Sequence, residues 1–293
     1  MSLYGSSTVR RLSPRQVEEF EGNLYEIIEE DWPTSVRGGY YSAMGLDLVD
    51  KDRDGKRTNY NRVQRRLLAM RRKGMLPYSW ITDGSRSVYG HTRYRDLEEF
   101  SRQVAGQYRK EYWQDSPVRV ECWVEKDALA GKLRPVVVDE FGLDLYVARG
   151  FSSETYLHNA GEHIQSDGRP TFVYVLTDHD ASGMSVAETV ARDLPWHASG
   201  VEVTVRKIAV TPEQIEEYGL ITQPVTTSDS RAQKFIQRYG TECAELDALP
   251  ANAVRELVRE AIERHIDPHR LRILKLAEAE ERKGLSELLR GGR

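Results

Sequence analysis

Apolar positions along this chain repeat with two different periods, and the change of period divides it in two. In the first third the spacing is helical. Val17, Phe20, Leu24, Ile27 and Ile28 recur three and four residues apart, which predicts a helix over 14–30 with Ser13 as its N-cap. Asp31-Trp32-Pro33 ends it, and Thr34-Ser35 can cap a second helix carrying 36–44. A third helix is expected over 58–73, stopped by Gly74 at the C′ position. Its Tyr60, Val63, Leu67 and Met70 share one face and are predicted to pack inward. Arg62, Arg65, Arg66, Arg72 and Lys73 lie largely on the other face. Residues 77–89 hold the turn Asp83-Gly84-Ser85 between short β-like runs, as in a hairpin or wing.

A further helical stretch, 97–113, is expected to join the two halves, with the boundary at Asp115-Ser116-Pro117. The period then becomes that of strands. Residues 118–124 alternate and run straight into Glu125-Lys126-Asp127, followed by a helix through Val136-Val137-Val138 to Phe141-Gly142 and a strand over 145–148. Residues 172–176 form an unbroken apolar run, the pattern of a strand covered on both faces. That run stops at Asp178-His179-Asp180, and Ala181-Ser182-Gly183 leads into a helix over 184–194. One more strand region is predicted over 201–210, an ordered loop over 219–229, helices over 231–239 and 252–265, and a helical tail to Leu289. Strands alternating with helices imply an α/β fold with a mostly parallel sheet. Right-handed crossovers bring the C-terminal ends of such strands to one edge.

Composition narrows the class. A chain of 293 residues can bury two cores. The net charge is −4, so a nucleic-acid surface has to be local, and the arginine-rich third helix is the candidate. Cys122 and Cys243 are too few for a disulfide framework or zinc site, and Cys122 is expected as core filler. No apolar run approaches a membrane span and no secretory h-region opens the chain, so a cytoplasmic protein with no membrane partner is expected. Residues 1–12 are expected to be disordered or vector-derived, 13–114 to form one domain and 115–293 another. No internal repeat occurs, and no GxxxxGK cradle for phosphate.

The candidate chemistry lies at the strand ends. In extended backbone Asp178 and Asp180 point the same way, and two carboxylates so close repel unless one is protonated or a cation lies between them. An oxygen-rich site of this kind suits Mg²⁺. The plainer role for such a pair is an N-cap and turn. Glu125, at the end of an earlier strand, supplies a third acid.

Glu125 and the run Asp178-His179-Asp180-Ala181-Ser182-Gly183 resemble the signature of the Toprim domain. The DxDxxG form looks most like the A subunit of topoisomerase VI and its meiotic double-strand-break relatives, in particular compact stand-alone bacterial or phage proteins of the Mini-A type. Arg37-Gly38-Gly39-Tyr40-Tyr41 matches the RxxYY pattern of that family. The resemblance spans about residues 14–267 and implies a winged-helix domain followed by Toprim. It implies Tyr41 as nucleophile on DNA with Arg37 beside it, and Glu125, Asp178 and Asp180 as ligands of Mg²⁺ or Mn²⁺. Arg62, Arg65, Arg66, Arg72 and Lys73 would contact double-stranded DNA. A guanidinium near a phenol favours the phenolate and stabilises charge on phosphorus, which gives that pairing an independent rationale. Gly38-Gly39 departs from the helix-favouring residues expected there, at roughly 1 kcal/mol per glycine relative to Ala, and leaves Tyr40 and Tyr41 both open as nucleophile.

The family further implies a homodimer in which Tyr41 of each chain faces the acids of its mate, and in some relatives a separate ATPase subunit. Two other functions remain open: a Toprim nuclease in which metal-activated water attacks and the tyrosines pack, and a DNA-binding protein with a vestigial acidic site. Asp229, Arg231 and Glu245 carry no assigned role beyond salt bridges closing the sheet edge.

Overall fold

Capping chemistry sets the helices of the first half. In the computed structural model, which describes residues 12–52, 57–82, 93–147, 154–226 and 231–291, Ser13 opens α1 (Pro14–Asp31) with a capping box completed by Gln16. Ser35 caps α2 (Val36–Gly45) by accepting a hydrogen bond from the Gly38 N–H at 3.0 Å. α3 (Thr58–Arg72) ends where Gly74 takes φ +73°, a conformation that favours glycine. Phe20, Leu24, Ile28, Val63, Leu67 and Met70 interdigitate in the core between the three helices.

β1 (Thr34–Ser35) pairs in parallel with β2 (Ile81–Thr82). The turn expected at Asp83-Gly84-Ser85, and most of the predicted wing, lies outside the described residues. Gly38 and Gly39 have a packing reason. A Cβ on Gly38 would lie 2.3 Å from Thr34 Oγ1, and one on Gly39 2.8 Å from Ile28 Cδ1. The helix tolerates both glycines because they let α2 approach its neighbours.

α4 (Leu97–Gln107), capped by Asp96, packs along the C-terminal helix instead of running on to 113. The chain leaves helical geometry at Tyr108 so that Tyr112 and Trp113 can enter the core of the second half. There β3 (Arg119–Val124), α5 (Asp127–Arg134) with a π-helical turn over Pro135–Glu140, β4 (Leu145–Val147) and α6 (Glu154–Asp167) follow one another. Next come β5 (Thr171–Leu176), α7 (Ala181–His197), β6 (Val203–Ala209), α8 (Pro212–Glu217) and β7 (Gln223–Pro224). α9 (Ala232–Tyr239), β8 (Glu242–Cys243), α10 (Ala251–Glu263) and α11 (Pro268–Gly291) complete the fold. The sheet order is β4-β3-β5-β6, parallel throughout, so the α/β class with a parallel sheet is observed.

Both sheet faces are buried, as the unbroken apolar run requires. Cys122, Val124, Tyr174 and Leu176 pack with α5 and α10 on one face. Trp123, Val173 and Val175 pack with α6 and α7 on the other.

A buried ion pair joins the two halves. Lys132 of α5 is fully buried and places Nζ 3.1 and 2.9 Å from the two carboxylate oxygens of Asp31, the last residue of α1. Asp31 also accepts from the Ala251 N–H at 2.8 Å and from Ser42 Oγ at 3.2 Å. A buried pair satisfied on every side ties α1, α2, α5 and α10 into one arrangement.

Candidate active site at the edge of the parallel sheet

The pairing of Val124 with Leu176 decides where the acids emerge. Glu125 leaves β3 beside the end of β5, its N–H bonded to the Leu176 carbonyl at 3.3 Å. Thr177 and Asp178 then lead into α7. A Cβ on Gly183 would sit 2.4 Å from the Asp178 carbonyl oxygen, so the first turn of α7 can press against the strand exit only with glycine there. Asp180 is the N-cap of α7, accepting from the Gly183 N–H at 2.7 Å, which starts that helix at Ala181, three residues earlier than expected. Asp178 accepts from the Leu246 N–H at 2.8 Å. Between them His179 turns inward and bridges Ala244 through its backbone. Each aspartate thus spends one oxygen on the backbone and keeps its second for other partners.

The three predicted acids share one electrostatic environment. Burial, and then the charges of Asp178 and Asp180, raise the Glu125 carboxyl above the usual range. Two lysines answer that charge. Lys126 Nζ lies 2.8 Å from Asp178, 3.1 Å from Glu245 and 3.5 Å from Asp247. Burial opposes its charge, but the three carboxylates prevail and hold the ammonium above its ordinary range. Lys207 donates to the carbonyls of Thr177 at 2.9 Å and Val210 at 2.6 Å. Burial pushes it down to about 7, against the pull of Asp178, Asp180 and Glu125.

Tyr41 reaches this edge within its own chain. Its hydroxyl donates to Glu245 Oε1 at 2.7 Å, and Arg37, one helical turn earlier on α2, reaches the same hydroxyl at 3.3 Å and also Glu245. Burial pushes the phenol up to about 12; Arg37 works against this and Glu245 adds to it. Glu245 is held below the usual carboxylate range: burial would raise it, but Lys126, the Tyr41 hydrogen bond and Arg37 outweigh that. Tyr40 instead faces the first core, and its hydroxyl accepts from the Asp52 N–H at 2.9 Å. Of the two tyrosines, Tyr41 is the one at the acidic edge.

The basic face of α3 divides. Lys73 and Arg66 pair with the buried Glu21 at 2.8 and 3.4 Å. Arg65 and Arg72 are exposed, while Arg62 is partly buried and has contacts of its own. Three of the five expected DNA contacts, Arg62, Arg66 and Lys73, are therefore already engaged within the chain.

Sequence reasoning gave Glu245 only the role of a salt bridge at the sheet edge, which it makes with Arg37 and Lys126, and gave none to Lys126 or Lys207. Lys126 directly follows Glu125 and was legible as a neighbour. The link from Glu245 to Tyr41 crosses 204 positions, and no spacing rule anticipates it. Arg231 lies 3.4 Å from Ser182 Oγ, and Asp229 falls outside the described residues.

As they stand, no three His, Cys, Asp or Glu side chains among the described residues are arranged to hold a metal ion. The donor type nonetheless fits a hard cation: carboxylate oxygens, one of them destabilised by burial and by neighbouring acids, with a lysine ammonium on Asp178. Among the described residues no helix is long and apolar enough to cross a membrane. No protein-family model matches the chain, and no curated protein matches it.

Proposed function

We propose that the chain is a metal-dependent DNA-cleaving enzyme similar to a type IIB topoisomerase A subunit, with a winged-helix first half and a Toprim second half. The observation that supports this reading is the chain of contacts from Tyr41 through Glu245 and Lys126 to Asp178. It links the tyrosine of the first domain to the acids of the second.

In this reading the Tyr41 oxygen bonds to phosphorus while the bond from phosphorus to a deoxyribose oxygen breaks. Glu245 receives the phenolic proton, the departing oxygen takes one from water, and Glu245 then returns its proton to solvent. A phenol held at about 12 loses its proton only as the new bond forms, so Glu245 acts as a base in concert with attack. Arg37 stabilises the charge that builds on the phosphate. Glu125, Asp178 and Asp180 would hold Mg²⁺ or Mn²⁺, which when bound supplies further charge stabilisation at that phosphate. The phosphotyrosine conserves bond energy, so resealing is the reverse of the same step. One tyrosine cuts one strand, so a double-strand break uses two chains about a two-fold axis.

One observation favours a second reading, the Toprim nuclease. Tyr41 is a well-seated hydrogen-bond donor with a raised pKa, a role that water attack would leave undisturbed. Incubation of supercoiled plasmid with Mg²⁺ tests the shared part of both. Wild type is expected to nick or linearise it, and Asp178→Ala or Glu125→Ala to abolish cleavage; unchanged cleavage by both variants would remove the acidic site from the mechanism.

A further inference from the structure

Beside Tyr41 lies a recess that shares Glu245 with the acidic edge but not Glu125, Asp178 or Asp180. It is a cleft of about 340 Å³ whose lining includes Arg37, Tyr41, Lys51, Asp52, Arg57 and Glu245. Its construction is specific. Asp52 accepts from the N–H groups of Asn59 and Tyr60 at 2.7 and 2.8 Å, which satisfies the first turn of α3. Asp52 in turn donates its own N–H to Tyr40. These bonds tie Asp52 to Tyr40 and to the first turn of α3, beside Lys51 and Arg57, which both line the cleft.

The charges in the recess do not cancel. Asp52 spends both oxygens on backbone N–H groups. Glu245 is taken by Arg37, Tyr41 and Lys126. Among the described residues neither Lys51 nor Arg57 forms an ion pair. Burial lowers the Lys51 ammonium below its ordinary range, partly offset by Glu245 and Glu242. A partly buried cation without a carboxylate partner gains from an incoming anion, and Arg57 adds a planar fork suited to phosphate oxygens.

We infer that this cleft binds the phosphodiester backbone of a polynucleotide, with Lys51 and Arg57 on phosphates flanking the one that Arg37 brings to Tyr41. The inference rests on the DNA-cleaving reading for its substrate class, but the two residues it adds, Lys51 and Arg57, belong neither to the five basic positions expected on α3 nor to the acids of the sheet edge. It makes Lys51 and Arg57, rather than α3 alone, set the register of the strand at the tyrosine.

The test is equilibrium binding of a fluorescein-labelled duplex by anisotropy over a range of salt, without added metal so that no cleavage intervenes. Wild type is compared with Lys51→Ala/Arg57→Ala and with Arg65→Ala/Arg72→Ala, each checked for an unchanged far-ultraviolet spectrum and melting temperature. Loss of two phosphate contacts should flatten the slope of log K against log salt by about 1.8. An unchanged slope in the Lys51/Arg57 variant overturns the inference, whether or not wild type cleaves DNA. Inorganic phosphate that displaces the duplex at micromolar concentration would assign the cleft to small phosphates and likewise overturn it. Plasmid cleavage by wild type is scored separately, so failure of the DNA-cleaving reading is told apart from failure of the cleft.

Discussion

Two of the ionic clusters that join the halves of this protein are built on opposite principles. At the seam, Lys132 and Asp31 are buried, matched one to one, and completed by Ser42 and the Ala251 N–H. At the sheet edge, Glu125, Asp178, Asp180, Glu245 and Asp247 face Arg37, Lys126 and Lys207, so acids exceed cations, and most of these groups are partly exposed. A balanced, dry pair holds a structure in place. An unbalanced, accessible cluster is an arrangement waiting for a positive charge or for a reaction that supplies one. The two clusters draw on shared elements: Asp31 is reached from α2, which carries Tyr41, from α5, which follows Lys126, and from Ala251, after Glu245.

The largest expected effect breaks the seam. Lys132→Met leaves Asp31 buried without its cation and should cost about 3–5 kcal/mol in denaturant unfolding. Lys126→Met at the edge should cost much less, because Asp178 and Glu245, its two nearer partners, keep access to water. Equal losses would erase the distinction between the clusters.

Next in size is metal binding. Mg²⁺ or Mn²⁺ should raise the melting temperature of wild type, by about 2.7 kcal/mol of stabilisation at a hundredfold excess over Kd. Asp178→Ala should abolish that gain and Lys126→Met should strengthen it, since the ammonium competes for the same carboxylate. Identical titrations for wild type and Asp178→Ala would contradict the site.

A subtler test concerns protons. Because the folded-state pKa of Tyr41 is raised from 10.0 to about 12, its contribution to stability is full below 10 and is lost as pH rises through 12. The difference in phenolate absorbance between wild type and Tyr41→Phe should therefore titrate near 12. In Glu245→Gln that difference should move down, because the carboxylate that favours the protonated phenol is gone. A Tyr41 titrating at the ordinary value in wild type would separate the tyrosine from the edge.

The smallest effect divides α3. Arg66→Ala and Lys73→Ala should lower stability slightly through the buried Glu21, whereas Arg65→Ala and Arg72→Ala should leave melting unchanged and weaken DNA binding. Melting curves and salt-dependent anisotropy on the four variants distinguish the two sets.

Much of the fold could be read from local pattern, because its causes are local. Ser13, Ser35 and Gly74 mark helix ends by their own chemistry, and the run 172–176 announces a strand covered on both faces. Glu125 and Asp178 were legible together because parallel strand order sets which ends coincide. The contacts that turn those acids into a site were not legible. Glu245 meets Tyr41, and Lys132 meets Asp31, through tertiary packing across 204 and 101 positions. Gly38-Gly39 shows the same limit from the other side: judged by helix propensity they are a defect, and judged by the space around them they are required.

The central claim is that Tyr41 is joined to DNA at the acidic edge. End-labelled duplex incubated with protein and Mg²⁺ or Mn²⁺, then denatured in detergent and resolved by mass, measures this directly. The account predicts a labelled protein band from wild type that disappears in Tyr41→Phe and in Asp178→Ala. Cleaved DNA with no labelled protein, equal in wild type and Tyr41→Phe, would contradict it and assign the attack to water.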